Sequence, residues 1–235
     1  MRDLHVDPME NACSNEEGPT LQIIQALQRT GLVPMAVVET PDEALFVSDA
    51  LRKAGVPLIE VAFRTAAAPE AIRALHQTCP DMLVGAGTIL NPPQVEQAIQ
   101  AGAQFIVSPG FDSQLAIQCQ SAGIPFIPGV ATPSEVMSAL RYGLRLLKFF
   151  PAEAMGGVKT LRALAPVFPH VRFIPTGGIN PRNLMDYIRL PNVIACGGTW
   201  LVDHPLIEER RLEDLVRVVQ EARALVQQAK GKPRL

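Results

Sequence analysis

One pattern of apolar and polar positions repeats along the chain from about residue 33 to residue 200. Short runs of apolar and β-branched residues alternate with longer stretches in which apolar residues recur at helical spacing. The eight runs are VPMAVV (33–38), PLIEVAF (57–63), MLVGAGTI (82–89), QFIVSPG (104–110), PFIPGVA (125–131), LLKFFP (146–151), RFIPTGG (172–178) and VIACGGTW (193–200). Their midpoints are about 20 to 26 residues apart, which leaves room for one strand, one helix and two loops in each unit.

Strands that are apolar on both faces and joined by helices predict a parallel sheet covered on both sides. Eight such units in one chain predict a (β/α)8 TIM barrel. The competing fold, an open doubly wound sheet, usually has fewer strands and a GxGxxG segment after the first one, which this sequence lacks. We therefore expect a single (β/α)8 barrel domain over residues 20–235.

Signals for helix ends support this division. Residues 1–19 are polar and without period, which predicts a flexible extension. An N-terminal helix should follow, capped by Thr20 and ended by Gly31. Further helices should begin where a capping side chain precedes a proline, at Thr40-Pro41, Asn91-Pro92, Thr132-Pro133 and Asn180-Pro181.

Composition narrows the class of protein. Of 235 residues 48% are hydrophobic, and the net charge of −2 comes without any cluster of Lys or Arg. A nucleic-acid surface and a polybasic membrane patch are therefore not expected. No apolar run approaches the ~18 residues of a membrane helix, and the first residues lack the apolar segment of a secretory signal. Cysteines and histidines are isolated, so we expect a cytoplasmic protein without disulfides or a metal site.

Lys148 is the most informative residue, because the other four lysines lie in helical or terminal stretches. It stands inside the apolar run LLKFF, where burial disfavours the charged amine. A neutral lysine is a nucleophile that forms a Schiff base with a ketone. The alternative is a structural lysine that reaches solvent or pairs with a buried acid.

Glu60 stands alone in the apolar run LIEVAF, where a carboxylate needs a partner. Lys148 and Arg64 are the available cations. Glu60 is either half of a structural ion pair or a general base that moves protons while Lys148 is covalently occupied. Arg64 should share the strand face of Glu60 and either bind a substrate carboxylate or neutralise Glu60.

Two Gly-Gly segments follow the seventh and eighth runs. Glycines there expose backbone N–H groups near a helix N-terminus, where phosphate binds. Together they predict a phosphate site at a common location in this fold. The residues concerned are Gly177, Gly178, Gly197 and Gly198, with Thr199 as a hydroxyl donor.

The motifs IEVAFRT, VGAGTILNP, QFIVSPG, PFIPGVATPSE, LKFFPAEAMGGVK, PTGGINP and GGTWL occur in this order. The chain therefore resembles the 2-keto-3-deoxy-6-phosphogluconate (KDPG) and 4-hydroxy-2-oxoglutarate aldolase family, from about Val33 to Val202. The resemblance implies a homotrimeric class I aldolase that uses no cofactor. Its reaction would release pyruvate and glyceraldehyde 3-phosphate, or pyruvate and glyoxylate from 4-hydroxy-2-oxoglutarate.

The resemblance also implies residue roles. Lys148 would form the Schiff base and Glu60 would be the base. Arg64, Thr88 and Phe150 would bind the pyruvate part, and Pro109, at the end of the fourth run, is a further candidate for substrate binding. The two Gly-Gly segments, together with Thr176 and Thr199, would hold the phosphate. Thr199 stands where the gluconate enzyme usually has serine, so the preference between gluconate and galactonate epimers stays open.

Two other functions remain open on sequence alone. A sugar-phosphate isomerase or epimerase would use the same phosphate loops, with Glu60 abstracting a proton and Lys148 acting only through its charge. The other is a non-enzymatic barrel that has kept the fold for a binding or regulatory role. Three ionisable residues at strand ends, Glu60, Arg64 and Lys148, favour an enzyme.

Overall fold

The structure is a computed structural model that describes residues 18–231, so most of the predicted extension over residues 1–19 lies outside the described residues. Helices and strands alternate along it, as the sequence pattern predicts. The helices are α1 (Pro19–Thr30), α2 (Pro41–Lys53), α3 (Ala68–Thr78), α4 (Pro92–Ala101), α5 (Ser113–Ser121), α6 (Pro133–Leu140), α7 (Gly157–Leu164), α8 (Leu184–Ile188), α9 (His204–Glu208) and α10 (Leu212–Lys230). The strands are β1 (Leu32–Ala36), β2 (Leu58–Ala62), β3 (Leu83–Gly87), β4 (Phe105–Val107), β5 (Phe126–Ile127), β6 (Gly129–Val130), β7 (Leu146–Phe149), β8 (Arg172–Pro175) and β9 (Cys196–Gly198).

All strand pairs are parallel, and they form a curled sheet. Six strands pair in the order β5-β4-β3-β2-β1-β9, and three pair in the order β6-β7-β8. Only Pro128 separates β5 from β6, because proline has no N–H to donate to a strand ladder. Bridges join Phe173 to Val193 and Thr176 to Gly197. The chain therefore has an α/β fold with a parallel sheet, as predicted.

Most predicted helix starts are confirmed. The side chains of Thr40, Asn91 and Thr132 each accept a hydrogen bond from a backbone N–H of the helix that follows. Two predictions are wrong. Thr20 is not a cap, because α1 begins two residues earlier than expected, at Pro19, where a missing N–H costs nothing. Asn180 accepts instead from the backbone N–H of Arg182, and α8 begins after that turn.

Two hydrophobic layers pack on the sheet. The outer layer joins the strands to the surrounding helices. The inner layer includes Phe105 and Ile174 from the strands, together with Ile23 and Leu27 of α1. The N-terminal helix is thus confirmed and packs against the interior side of the strands. No helix within the described residues is long and apolar enough to cross a membrane.

Candidate active site

Lys148 and Glu60 form an ion pair inside the sheet. Nζ of Lys148 lies 3.2 Å from Oε1 of Glu60, and the two side chains are only 5% and 4% exposed. Lys148 is in β7 and Glu60 in β2, at positions where both strands are fully buried. Two buried charges need each other, because an unpaired one in an apolar interior is unstable. The pair gives the lysine a carboxylate that can take or return a proton.

The pair fits because its neighbours are small or aromatic. A Cβ added to Gly87 of β3 would lie 2.1 Å from Oε1 of Glu60, so glycine makes room for the carboxylate. On the other side, Nζ of Lys148 lies 5.6 Å from the centre of the Phe150 ring. An ammonium is attracted to an aromatic face at this distance.

A cleft of about 210 Å³ opens next to this pair. The predicted site residues that line it are Arg64, Phe150, Thr176, Gly177, Gly178, Gly198 and Thr199. Thr176 lies in the wall of both this cleft and the interior space that Lys148 and Glu60 line. A ligand in the cleft would therefore approach the ion pair past Thr176.

The two Gly-Gly segments lie at neighbouring strand ends. Gly177 and Gly178 have φ values of +98° and +82°, which favour glycine. Gly197 is bridged to Thr176, and a Cβ on Gly197 would lie 2.6 Å from Oγ1 of that threonine. Gly177, Gly178 and Gly198 thus leave backbone at the cleft wall, as a phosphate-binding loop requires.

Arg64, Thr88 and Pro109 differ in their placement. Arg64 lies in the turn after β2 rather than on the strand, because β2 ends at Ala62; it is exposed and lines the cleft. Among residues 18–231 Arg64 forms no ion pair, and Glu60 pairs with Lys148, so the alternative in which Arg64 neutralises Glu60 is not seen. Thr88 and Pro109 follow β3 and β4, and neither is in the wall of the cleft.

Sequence reasoning missed two features of the site. Gly87 lies in the motif VGAGTILNP and was given no role of its own, although it makes room for the Glu60 carboxylate. Trp200 also lines the cleft, and its buried Nε1 has no hydrogen-bond partner within the described part of the chain. Its place directly after the second Gly-Gly segment and Thr199 was the available signal. Within residues 18–231 no three His, Cys, Asp or Glu side chains come together as metal ligands would.

Comparison with known proteins gives a consistent result. The sequence profile of the KDPG and KHG aldolase family matches residues 23–218. A 2-dehydro-3-deoxy-phosphogluconate aldolase of Treponema pallidum is 46% identical over 182 residues, covering 77% of this chain and 87% of the relative. The KHG/KDPG aldolase of Escherichia coli K12 is 45% identical over 199 residues, covering 84% and 93%.

A solved structure agrees with these sequence matches. The KDPG aldolase of Legionella pneumophila, with pyruvate captured as a covalent carbinolamine intermediate, superimposes with a TM-score of 0.83 and 38% identity. The superposition covers 88% of this chain and 98% of that one. An α/β fold with a curled parallel sheet and the motifs that carried the resemblance are thus found together in one chain, and it belongs to the KDPG and KHG aldolase family.

Proposed function

We propose that the chain is a class I aldolase that cleaves 2-keto-3-deoxy-6-phosphogluconate to pyruvate and glyceraldehyde 3-phosphate. The observation that carries this proposal is the buried pair of Lys148 and Glu60, 3.2 Å apart beside a cleft lined by two glycine loops. A lysine nucleophile, a carboxylate base and a phosphate-binding wall are the three parts that this reaction needs.

The reaction begins when Glu60 takes the ammonium proton of Lys148. The neutral Nζ then attacks the C2 ketone to give a carbinolamine. Protonated Glu60 gives its proton to the carbinolamine hydroxyl, which leaves as water, so that a protonated imine and an ionised Glu60 remain. Glu60 next accepts the proton of the C4 hydroxyl, and the C3–C4 bond breaks with its electron pair moving into the imine. The aldehyde leaves, and protonated Glu60 returns this proton to C3 of the remaining enamine. Water hydrolyses the imine to pyruvate and frees Lys148.

Other residues would orient the substrate. Arg64 carries a guanidinium suited to the substrate carboxylate, and Phe150 lies beside Nζ of Lys148 where it would pack on the pyruvate part. Thr88 and Pro109 would complete that end from the neighbouring strands. The phosphate would bind at the glycine loops, with the hydroxyl of Thr199 as an additional donor.

A trapping experiment tests the covalent step. The protein is incubated with pyruvate, reduced with borohydride and digested, and the modified lysine is identified by mass spectrometry. We expect a reduced pyruvyl adduct on Lys148 and none on Lys148→Ala. Lys159→Ala, which removes an exposed lysine of α7, is the matched control and should give the same adduct as the wild type.

An unmodified wild-type protein would overturn the Schiff-base mechanism, provided that it is folded by circular dichroism. The isomerase or epimerase function, with Glu60 as proton acceptor and Lys148 acting through its charge, would then replace it. Aldol cleavage that persists in Lys148→Ala would contradict the mechanism equally directly.

The substrate range requires an assay with paired substrates. We propose that 4-hydroxy-2-oxoglutarate is a second substrate, which the relatives named KHG/KDPG aldolase support. Pyruvate release is measured from the 6-phosphorylated gluconate, the 6-phosphorylated galactonate and 4-hydroxy-2-oxoglutarate. We expect a larger kcat/KM for the gluconate than for 4-hydroxy-2-oxoglutarate, because the glycine loops add binding energy that the phosphate-free substrate cannot use. The relatives named 2-dehydro-3-deoxy-phosphogluconate aldolase favour the gluconate over the galactonate. A larger value for the galactonate would assign the chain to that epimer.

We also propose that residues 20–235 form one domain with a complete (β/α)8 barrel. The bridge between Thr176 and Gly197 supports closure on one side of the sheet. On the other side, Pro128 is the single residue between the paired segments β5 and β6. A single cooperative unfolding transition, seen alike by near- and far-ultraviolet circular dichroism, is expected for one domain. Two separate transitions would contradict it.

A homotrimer in the cytoplasm is proposed for the working enzyme. Large apolar side chains of three consecutive units are exposed, namely Leu90 before α4, Ile117 on α5 and Met137 on α6. The buried free thiols of Cys79, Cys119 and Cys196 suit a reducing compartment. Analytical ultracentrifugation should give three times the 25.4 kDa chain mass. A monomer throughout the micromolar range would contradict the trimer.

A further inference from the structure

The loop that follows the lysine strand is bonded to the loop that follows the next strand. The backbone N–H of Ala152 donates to the carbonyl of Thr176 over 2.8 Å, and that of Glu153 donates to the carbonyl of Gly177 over 3.1 Å. The segment after Lys148 and the first glycine loop are therefore fixed relative to each other. A change in one loop should be transmitted to the other.

Gly178 is held from two sides. Its carbonyl accepts hydrogen bonds from the side-chain amides of Asn180 and Asn183, over 3.1 and 3.0 Å. On the face from which a side chain would project, a Cβ on Gly178 would lie 2.5 Å from Cγ of Glu153, so the Glu153 side chain lies directly against the glycine. Moving Glu153 would free the backbone of Gly178 on that side.

Tyr187 holds Glu153 in place. The tyrosine is fully buried in α8, and its hydroxyl donates a hydrogen bond to Oε1 of Glu153. Burial, and then the hydrogen bond and the negative charge of Glu153, raise the pKa of the Tyr187 hydroxyl, which keeps it protonated and able to donate. An otherwise exposed carboxylate is thus anchored to the core of the protein.

Glu153 does not line the cleft where the phosphate is proposed to bind. It lines a second cavity of about 360 Å³, together with Lys159, Asp186 and Tyr187, whereas Gly178 lines the cleft itself. Glu153 therefore acts on the cleft only through the backbone it supports. This separation distinguishes a supporting residue from one that touches substrate.

We infer that Glu153, anchored by Tyr187, is a positioning residue that fixes the Gly177–Gly178 backbone for phosphate binding. The inference rests on the proposed function, because it assigns the support of the phosphate-binding loop. It implies that losing the anchor weakens the grip on phosphate and leaves the chemistry at Lys148 intact. The two ends of the substrate can be assayed separately.

The first test removes one oxygen. Tyr187→Phe keeps the buried ring and deletes the hydrogen bond, and the KM for the 6-phosphorylated substrate should rise about fivefold, the usual effect of one hydrogen bond. The dissociation constant for inorganic phosphate should rise by a similar factor. The rate of pyruvate trapping on Lys148 should stay within twofold of the wild type. Tyr142→Phe, at the chain's other tyrosine, is the matched control and should change none of these values.

Variants of Glu153 test the same contact from its other partner. Glu153→Gln keeps an oxygen that can accept from Tyr187, so its phosphate affinity should be close to that of the wild type. Glu153→Ala should lower the phosphate affinity by the same factor as Tyr187→Phe. The double variant, Glu153→Ala with Tyr187→Phe, should bind inorganic phosphate no more weakly than either single variant, because both substitutions remove the same contact.

Several results would overturn the inference. The first is an affinity for inorganic phosphate that is unchanged in Tyr187→Phe. The second is a slowing of pyruvate trapping in Tyr187→Phe by the same factor as the loss of phosphate affinity, which would indicate a general structural defect. The phosphate measurement needs no aldol cleavage. If the wild type cleaves no sugar acid yet binds phosphate, the proposed function fails while Tyr187→Phe still decides the inference. A wild type that binds no phosphate overturns the inference itself.

Discussion

The Cα of Gly87 faces the Glu60 side chain so closely that an added Cβ would lie 2.1 Å from Oε1 and 2.5 Å from Cγ. The two residues are in adjacent strands, β3 and β2, whose register pairs Ala62 with Gly87. No side chain larger than hydrogen fits at position 87 while Glu60 keeps its contact with Lys148. The position of the proposed base thus depends on a missing side chain.

Gly87→Ala should therefore reduce activity by displacing the Glu60 carboxylate. A misplacement of about 1 Å at a reacting group lowers rates on the order of a hundredfold, and we expect kcat to fall by about that factor. KM for the 6-phosphorylated substrate should change little, because the glycine loops are untouched. Steady-state kinetics with the 6-phosphorylated gluconate and with 4-hydroxy-2-oxoglutarate measures the separate effects on kcat and KM.

Gly85→Ala is the matched control. It adds the same methyl group to the same strand, but the three atoms nearest to this Cβ would all belong to the Phe105 ring, the closest at 2.2 Å, and not to Glu60. We expect a lower free energy of unfolding and a kcat per folded molecule close to that of the wild type. An equal loss of kcat in both variants would show that crowding of β3, and not displacement of Glu60, lowers the rate.

The buried ion pair should make the two charges depend on each other for stability. Lys148→Met leaves the Glu60 carboxylate unpaired, and the free energy of unfolding should fall by about 3 to 5 kcal/mol at pH 7. Adding Glu60→Met removes the unpaired charge and should restore most of that loss, because an apolar pair of similar volume is often as stable. Urea denaturation of the wild type, both single variants and the double variant measures the coupling. Additive losses would contradict it.

Thr88 shows strain at the proposed pyruvate end. Its φ of +57° is left-handed, a conformation that costs a β-branched residue about 1 to 3 kcal/mol. Thr88→Gly should raise the free energy of unfolding by about 1 kcal/mol, after allowing for the flexibility of glycine in the unfolded chain. The same variant should trap pyruvate more slowly, because the hydroxyl is lost.

Thr88→Ala separates these two effects. It also lacks the hydroxyl, so pyruvate trapping should slow as much as in Thr88→Gly. Because alanine does not adopt a positive φ freely, its free energy of unfolding should be lower than that of Thr88→Gly. Thermal unfolding and borohydride trapping on the same samples provide both values. A glycine variant that is less stable than the wild type would show that the backbone at position 88 is not strained.

Much of the fold followed from the sequence because its main signal is local. Apolar runs at regular spacing predicted the strands, and Thr40, Asn91 and Thr132 marked helix starts by a hydrogen bond within three residues. The two wrong starts have different causes. The first helix begins at Pro19, before Thr20, whereas Asn180 accepts a hydrogen bond within a turn that ends before α8.

The site was only partly predictable, because its contacts are distant in sequence. Lys148 and Glu60 could be singled out as charges in apolar runs, but the contact between them spans 88 residues and depends on strand register. The role of Gly87 requires knowledge of the neighbouring strand. The Tyr187–Glu153 contact joins a buried helix to a loop and has no local signal.

Glu135 should make the stability of α6 depend on pH. Its carboxylate forms a capping box with Thr132 at the start of that helix. Burial raises its pKa, but hydrogen bonds from the Ala131 N–H and from the hydroxyl and N–H of Thr132 outweigh burial, and the net pKa is lower than the ordinary 4.5. A pKa that is lower in the folded than in the unfolded state means that ionised Glu135 stabilises the fold. That stabilisation is complete above 4.5 and is lost as the pH falls through the folded value.

Glu135→Ala should therefore lower the free energy of unfolding at pH 7 by about 1 kcal/mol, the usual effect of a lost helix cap. The difference from the wild type should shrink as the pH falls below 4.5, where the carboxyl group takes up its proton. Glu135→Gln does not titrate but keeps an oxygen acceptor, so it should lie between the two at pH 7. Urea denaturation at pH 7 and at acidic pH measures all three proteins. A deficit in Glu135→Ala that is the same at both pH values would show that the side chain stabilises α6 by packing and not by its charge.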